Sequence, residues 1–115
     1  MQYFVYMLRC SDNSIYTGYT TDICRRVKEH YFKSPQGAKY TKSHNVIRVE
    51  RVWQTDEKKK ACKAEYMIKR LEKKEKEGLI KEPEKLCSLL GLNEDDFNTI
   101  EINLEKCIKN NENTK

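Results

Sequence analysis

The sequence has no apolar run long enough to cross a bilayer, which excludes a protein with membrane-spanning helices. Its N-terminus lacks the pattern of a signal peptide, and we therefore predict a cytoplasmic protein that does not contact a membrane. Glycine and proline are scarce, with four and two residues among 115, and they form no Gly/Ser linker. Without linkers or internal repeats, this length predicts one domain with its own core and at most a small appendage.

Cysteine is present, but its pattern argues against cross-links and metal sites. The five cysteines are an odd number, are widely spaced, and include no C-x-x-C pair. Zinc sites and disulfide frameworks are therefore not expected, and reduced thiols in a cytosol fit better. The cysteines are Cys10, Cys24, Cys62, Cys87 and Cys107.

The net charge of +5 is distributed unevenly. Residues 1–80 carry a net charge of +8, and residues 81–115 carry −3. A basic first part favours a polyanionic partner, because lysine and arginine displace counterions from phosphates. A solvated lysine-rich surface would have the same balance, and the run Lys58–Lys60 is compatible with either interpretation.

Two β-rich segments at residues 2–9 and 15–20 flank turn-forming residues and predict a β-hairpin. The length of its loop decides whether Tyr6 and Tyr16 share a face, because strand side chains alternate. A loop of two or four residues would send Tyr16 to the far face. A three-residue loop, with Asn13 or Ser14 near the left-handed region, would bring the two tyrosines together.

The next segment predicts a helix from about Asp22 to about Phe32, capped by Thr20 or Thr21. On a helix, Arg26 and His30 lie on the same face as the apolar residues Ile23 and Val27. A charged side chain on a buried face is costly without a partner. Arg26 is therefore expected to be paired.

Later segments add a polar loop over residues 33–45 that contains Tyr40, and a third strand over residues 46–54. A helix from about Glu57 to Leu71, capped by Thr55 or Asp56, carries Glu65 on the flank of its apolar stripe. A charged, helical run follows over residues 72–82. Beyond it we expect a short helix ending at Gly91, a helix beginning near Asn93, and a frayed tail. The apolar face of the helix that begins near Asn93 would contain Phe97, Ile100, Leu104 and Cys107 or Ile108.

In this order, the tyrosine hairpin, the Arg26-x-x-x-His30 helix and the Glu65 helix resemble the GIY-YIG nuclease superfamily, in particular its small stand-alone bacterial members. The resemblance covers about residues 1–81. It also includes the segments Leu8-Arg9-Cys10-Ser11-Asp12, Tyr16-Thr17-Gly18-Tyr19-Thr20-Thr21-Asp22, Ala38-Lys39-Tyr40-Thr41 and Ile68-Lys69-Arg70-Leu71. The sequence departs from the family pattern at Phe4, where the family has glycine, and at Thr17, where it has isoleucine.

The resemblance implies a role for each residue of the motif set. Glu65 would be the ligand of a single divalent metal, Mg²⁺ or Mn²⁺. Tyr6 and Tyr16 would orient or activate water, and Arg26 would stabilise the phosphate. His30 or Tyr40 would assist proton transfer. Which tyrosine would be the general base is left open.

We therefore predict an α+β fold, with a small three-stranded antiparallel sheet flanked by helices in residues 1–82 and a packed helical extension in residues 83–115. The resemblance implies a magnesium-dependent DNA endonuclease or nickase, acting in DNA repair, recombination or mobile-element processing. The alternatives are a GIY-YIG-like module that binds nucleic acid without cutting and a protein-interaction domain. In a chain this short we expect no separate recognition domain, so specificity would be weak or supplied by a partner protein. The oligomeric state is left open.

Overall fold

The computed structural model describes residues 1–33, 35 and 39–113, with the side chains of 41, 42 and 110–113 excepted. Along the chain the strands are β1 (Tyr3–Cys10), β2 (Ile15–Thr20), β3 (Val46–Thr55) and β4 (Asn98–Ile100). The helices are α1 (Ile23–Tyr31), α2 (Lys39–Ser43), α3 (Lys58–Lys69), α4 (Lys73–Lys81), α5 (Leu86–Leu90) and α6 (Leu104–Asn113). Short 3₁₀ turns lie at Pro83–Lys85 and Glu94–Asp96.

The strands form one antiparallel sheet in the order β2-β1-β3-β4. The α+β fold with helices around an antiparallel sheet is as predicted, but the sheet has four strands rather than three. The central strand β1 is buried on both faces, which explains why its sequence is an almost uninterrupted apolar run. Helices α1 and α6 pack on one face of the sheet, and α3, α4 and α5 pack on the other.

The fourth strand comes from a segment that the sequence predicts to be helical. Asn98–Ile100 pairs with the outer edge of β3, where backbone groups would otherwise lack partners. The apolar residues of this segment also divide between the two faces of the sheet, because Phe97 packs against the α3 side and Ile100 against the α1 side. A single helix face could not reach both sides. The predicted helix from Asn93 is therefore wrong, and α6 begins only at Leu104.

A disulfide between Cys24 of α1 and Cys107 of α6 contradicts the prediction of reduced thiols at these two positions. The two residues are 83 positions apart, so their spacing gave no signal. They meet because β4 carries the chain across the sheet and places α6 against α1. Cys10, Cys62 and Cys87 are free thiols.

Several local boundaries also differ from the prediction. Asp22, not Thr20 or Thr21, caps α1, because its carboxylate accepts the backbone N–H of Arg25 at 3.2 Å. The predicted polar loop over residues 33–45 contains α2, with residues 34 and 36–38 outside the described part. The predicted frayed tail is helical as far as Asn113, and residues 114–115 are not described. Within the described residues, no helix has the length and apolar character needed to span a membrane.

Candidate functional site

Tyr6 of β1 and Tyr16 of β2 lie on the same face of the sheet. Cys10 and Ser14 close the hairpin, so its loop has three residues, and Asn13 adopts a left-handed φ of 71°. Tyr6 is therefore paired with Gly18, and Tyr16 with Leu8. The ring centroids of the two tyrosines are 6.2 Å apart. Of the two loop geometries that the sequence allows, the structure has the one that brings the tyrosines together.

Gly18 makes room for this arrangement. A Cβ atom at this position would lie 2.5 Å from Tyr6 Oη, 2.7 Å from Tyr6 Cζ and 3.2 Å from Tyr16 Cε2. Tyr6 is only 1% exposed, so its ring has little space into which it could move. The absence of a side chain at Gly18 is thus required for Tyr6 to lie flat across β2.

Replacing Gly18 with alanine should destabilise the protein by about 1–3 kcal/mol, the usual cost of overpacking a filled core. The matched control is Gly78→Ala in the middle of α4, where an added Cβ would meet nothing within 4 Å. That change should stabilise the protein by about 0.5–1 kcal/mol, because alanine favours a helix interior. Urea unfolding of both variants measures the two effects. Equal changes in the free energy of unfolding, with the same sign in both variants, would contradict the proposed packing of Tyr6 on Gly18.

Helix α1 brings Arg26 and His30 to the tyrosines. Tyr6 Oη lies 2.7 Å from His30 Nε2, and the His30 ring centroid is 5.1 Å from that of Tyr16. The Arg26 guanidinium binds Glu29 Oε1 at 2.7 Å and also hydrogen-bonds the Tyr6 hydroxyl. The expectation that Arg26 is paired is confirmed. Two side chains one turn apart on α1 therefore converge on the same buried phenol.

The environment of Tyr6 keeps its hydroxyl protonated. Burial raises the pKa of Tyr6 above its ordinary value, and the nearby Tyr16 and Glu65 raise it further, while Arg26 opposes them. A phenol in this state can donate a hydrogen bond at neutral pH but is a weak base. On its own, Tyr6 cannot remove a proton from water.

His30 has the opposite shift and is uncharged at neutral pH. Burial, followed by the positive charge of Arg26, lowers the pKa of His30 from 6.5 to about 4, and the carboxylate of Glu29 partly offsets these effects. A buried neutral imidazole retains one unprotonated ring nitrogen. In the tautomer protonated at Nδ1, this acceptor is Nε2, directly beside the Tyr6 hydroxyl.

The low pKa of His30 predicts acid destabilisation. Between pH 6.5 and about 4 the unfolded chain binds a proton at His30 that the folded chain excludes. Stability must then rise with pH across this window and fall by about 3 kcal/mol as the pH drops through it. His30→Gln should remove this part of the pH dependence, as measured by urea unfolding at several pH values. If the free energy of unfolding of His30→Gln changed with pH as steeply as that of the wild type, His30 would not be the source of the acid destabilisation.

Tyr40 extends the aromatic cluster towards the surface. Its ring lies 5.6 Å from that of Tyr16 and stacks on the ring of His44 at 3.9 Å. His44 Nδ1 is 2.8 Å from the Tyr40 carbonyl oxygen, and His44 Nε2 is 3.4 Å from an oxygen of Asp12 in the hairpin loop. Asp12 and His44 thus help to position Tyr40, a role that was not predicted from the sequence. The four-residue spacing of Tyr40 and His44 was the signal in the sequence that could have indicated this contact, because residues four apart on a helix are neighbours.

Glu65 approaches the same cluster from α3 on the other side of the sheet. Helix α3 packs against the edge strand β2, and the ammonium of Lys69, one turn after Glu65, lies 5.7 Å from the centroid of the Tyr16 ring. The Glu65 side chain is 20% exposed and lies 3.6 Å from the ammonium of Lys69. Glu65 is therefore within electrostatic range of Tyr6 and open to solvent.

The donor set at Glu65 suits a hard divalent cation. Mg²⁺ keeps several waters and is commonly bound through one or two carboxylates together with substrate phosphates. Glu65 supplies one partly exposed carboxylate, and Arg26, which like Glu65 acts on the hydroxyl of Tyr6, could balance a phosphate. Among the described residues, no group of three or more histidine, cysteine, aspartate or glutamate side chains forms a complete cage. A weak site completed by water and substrate fits these residues.

Comparison with known proteins gives the family. The sequence model of the GIY-YIG catalytic domain matches residues 2–78. A UPF0213 protein of Fusobacterium nucleatum is 50% identical over 84 residues, which cover 73% of this chain and 82% of that protein. Another UPF0213 protein, from Halalkalibacterium halodurans, is 44% identical over 80 residues, covering 70% and 83%. These names specify no activity.

One solved structure is also similar. The solution NMR structure of the UPF0213 protein from Bacillus halodurans has a TM-score of 0.48 and 38% sequence identity, and the match covers 81% of this chain and 100% of that one. The matched catalytic domain, residues 2–78, includes all six residues of the candidate site. The chain therefore belongs to the GIY-YIG family of nucleases.

Proposed function

We propose that this protein is a metal-dependent DNA endonuclease or nickase that hydrolyses phosphodiester bonds, with a role in DNA repair or recombination. The observation that carries the proposal is the convergence of Tyr6, Tyr16, Arg26, His30 and Glu65, which come from two strands and two helices. Such a set combines a phosphate-binding cation, two phenols, a proton acceptor and a metal ligand. Together these groups can stabilise the charge on a phosphate, move protons and hold a metal, which are tasks in phosphodiester hydrolysis.

Arg26 is suited to bind the phosphate that is cleaved. Its guanidinium keeps its charge, and its planar donors can contact two phosphate oxygens at once. The side chain is 25% exposed, so it reaches solvent while Glu29 and Tyr6 fix its orientation. Charge developing on the phosphate in the transition state would meet a cation that is already in position.

The two tyrosines have different exposures and therefore different roles in this proposal. Tyr16 is partly exposed and would contact the substrate or the attacking water. Tyr6 is buried and would act as a positioning group behind Tyr16, because its hydroxyl holds both His30 and Arg26. The attacking water would lose its proton to the surrounding solvent as its oxygen bonds to phosphorus. The leaving sugar oxygen must also gain a proton, and Tyr40 lies on the exposed side of the cluster in a suitable place.

Glu65 would hold Mg²⁺ or Mn²⁺, which supplies Lewis-acid polarisation of the phosphate and lowers the pKa of water. The chain's own residues then orient the phosphate and transfer protons. The basic surface of residues 1–80 supports binding of DNA without reading its sequence. Specificity would come from a partner protein or from the shape of the DNA.

The direct test is cleavage by the purified protein. Supercoiled plasmid, linear duplex, single-stranded DNA and branched DNA should be incubated with Mg²⁺, with Mn²⁺, or with a chelator. We expect nicking or cutting of at least one form with either metal and none with the chelator. A protein that binds DNA at low salt but cuts no form in any metal would be a binding module. A protein that does not bind DNA at low salt would contradict both functions.

A further inference from the structure

Lys69 has no role in the proposed mechanism, yet its side chain lies between Glu65 and Tyr16 of the candidate site. It follows Glu65 by one turn of α3, and its ammonium is 3.6 Å from Glu65 Oε2. The same ammonium lies 5.7 Å from the centroid of the Tyr16 ring, on strand β2. The Lys69 side chain is 48% exposed, so it can change partners without disturbing the core.

The contact with Glu65 cannot persist unchanged once a divalent cation binds. A cation on the Glu65 carboxylate would repel an ammonium a few ångströms away and would occupy the oxygens that Lys69 faces. The pair is exposed and adds little to stability, so it is easily broken. Lys69 would then keep its position over Tyr16, where the mechanism expects the substrate.

We propose that Lys69 has two alternating partners, the Glu65 carboxylate in the metal-free protein and a substrate phosphate in the metal-bound protein. This inference rests on the proposed function. A flexible ammonium suits the exchange, because it binds phosphate as a point charge and needs no fixed geometry. While metal is absent, Lys69 lowers the affinity of Glu65 for cations. Once metal is bound, the released ammonium adds one phosphate contact beside the site.

The test uses Lys69→Met, with Lys63→Met as the control. Lys63 is an exposed lysine on the same helix. Binding of Mn²⁺ is measured by calorimetry without DNA, and binding of a fluorescent DNA duplex is measured by anisotropy in Ca²⁺ at several salt concentrations. In Lys69→Met the dissociation constant for Mn²⁺ should fall by about two- to fivefold. DNA should bind more weakly, and the slope of log affinity against log salt should decrease by about one.

The two effects have opposite directions, which a general loss of structure would not produce. Lys63→Met should leave Mn²⁺ affinity unchanged, and Lys69→Arg should keep the wild-type affinity for DNA. All variants should unfold at the same urea concentration. The inference is overturned if either affinity of Lys69→Met equals that of the control, or if the wild type does not bind Mn²⁺. Because neither measurement needs cleavage, a protein that shows both effects but never cuts DNA contradicts only the proposed function.

Discussion

Replacing Glu65 with glutamine should reduce metal-dependent DNA cleavage by about a thousandfold, which corresponds to roughly 4 kcal/mol of transition-state stabilisation. Glutamine keeps the size of the side chain but lacks the charge that holds Mg²⁺. The fold should persist, because the only ion pair that the structure shows for Glu65 in the described residues, with Lys69, is partly exposed and contributes less than about 1 kcal/mol. DNA binding without metal should also persist.

The matched control is Glu57→Gln. Glu57 lies at the N-terminus of α3 and binds Lys60, which also binds Asp96 next to β4, at the edge of the sheet opposite to β2. Its variant should cleave DNA at the wild-type rate. Initial rates of plasmid nicking at saturating Mg²⁺, together with melting temperatures, separate loss of chemistry from loss of folding. Wild-type nicking by Glu65→Gln would exclude Glu65 as the metal ligand.

The largest effect on stability is expected at Arg9, at the end of β1. Its buried guanidinium binds Glu50 at 2.8 Å and both carboxylate oxygens of Glu77, and it also donates to the carbonyl and side chain of Asn13. Glu50 is the extra residue of a β-bulge in β3, which directs it towards Arg9. Arg9 thus links α4, β3 and the hairpin loop through hydrogen bonds.

Arg9→Met should lower the free energy of unfolding by about 3–5 kcal/mol, because Glu50 and Glu77 both lose a hydrogen-bonded counter-charge and Glu50 keeps only the exposed Arg48. Glu50 is 11% exposed at its side chain, so water can replace the arginine only in part. Arg25→Met is the control. The Arg25 side chain is 61% exposed, so its loss should lower the free energy of unfolding by less than about 1 kcal/mol. Urea unfolding measures both. Similar losses of unfolding free energy in the two variants would show that the ion pairs and hydrogen bonds of Arg9 are not a main source of stability.

Predictions from local sequence succeeded where the signal was local. The hairpin, the helix that carries Arg26 and His30, and the helix that carries Glu65 follow from alternation, periodicity and turn residues. The pairing of Arg26 followed from the cost of an unpaired charge on a buried helix face. Gly18 illustrates the limit of such reasoning. The sequence shows a glycine within a strand, but only the register reveals that the Tyr6 ring occupies the place of its side chain.

Predictions failed where distant segments compete for the same partner. Phe97, Ile100 and Leu104 have helical spacing, but the open edge of β3 favours a strand at Asn98–Ile100. The Cys24–Cys107 pair and the Arg9–Glu77 pair are 83 and 68 residues apart, so no local pattern contains them. The contact of Asp12 with His44 was missed for the same reason, whereas the four-residue spacing of Tyr40 and His44 was a local signal that was not used.

The sequence by itself determined the order of the elements, the α+β class and the identity of the groups that could perform the chemistry, because these depend on residue types and short spacings. The tertiary structure decided which of those groups meet. A three-residue loop placed Tyr6 and Tyr16 on one face, α1 brought His30 to within 2.7 Å of Tyr6, and α3 placed Glu65 beside the sheet edge. Contacts between segments far apart in the chain depend on register and packing, which are properties of the folded chain as a whole.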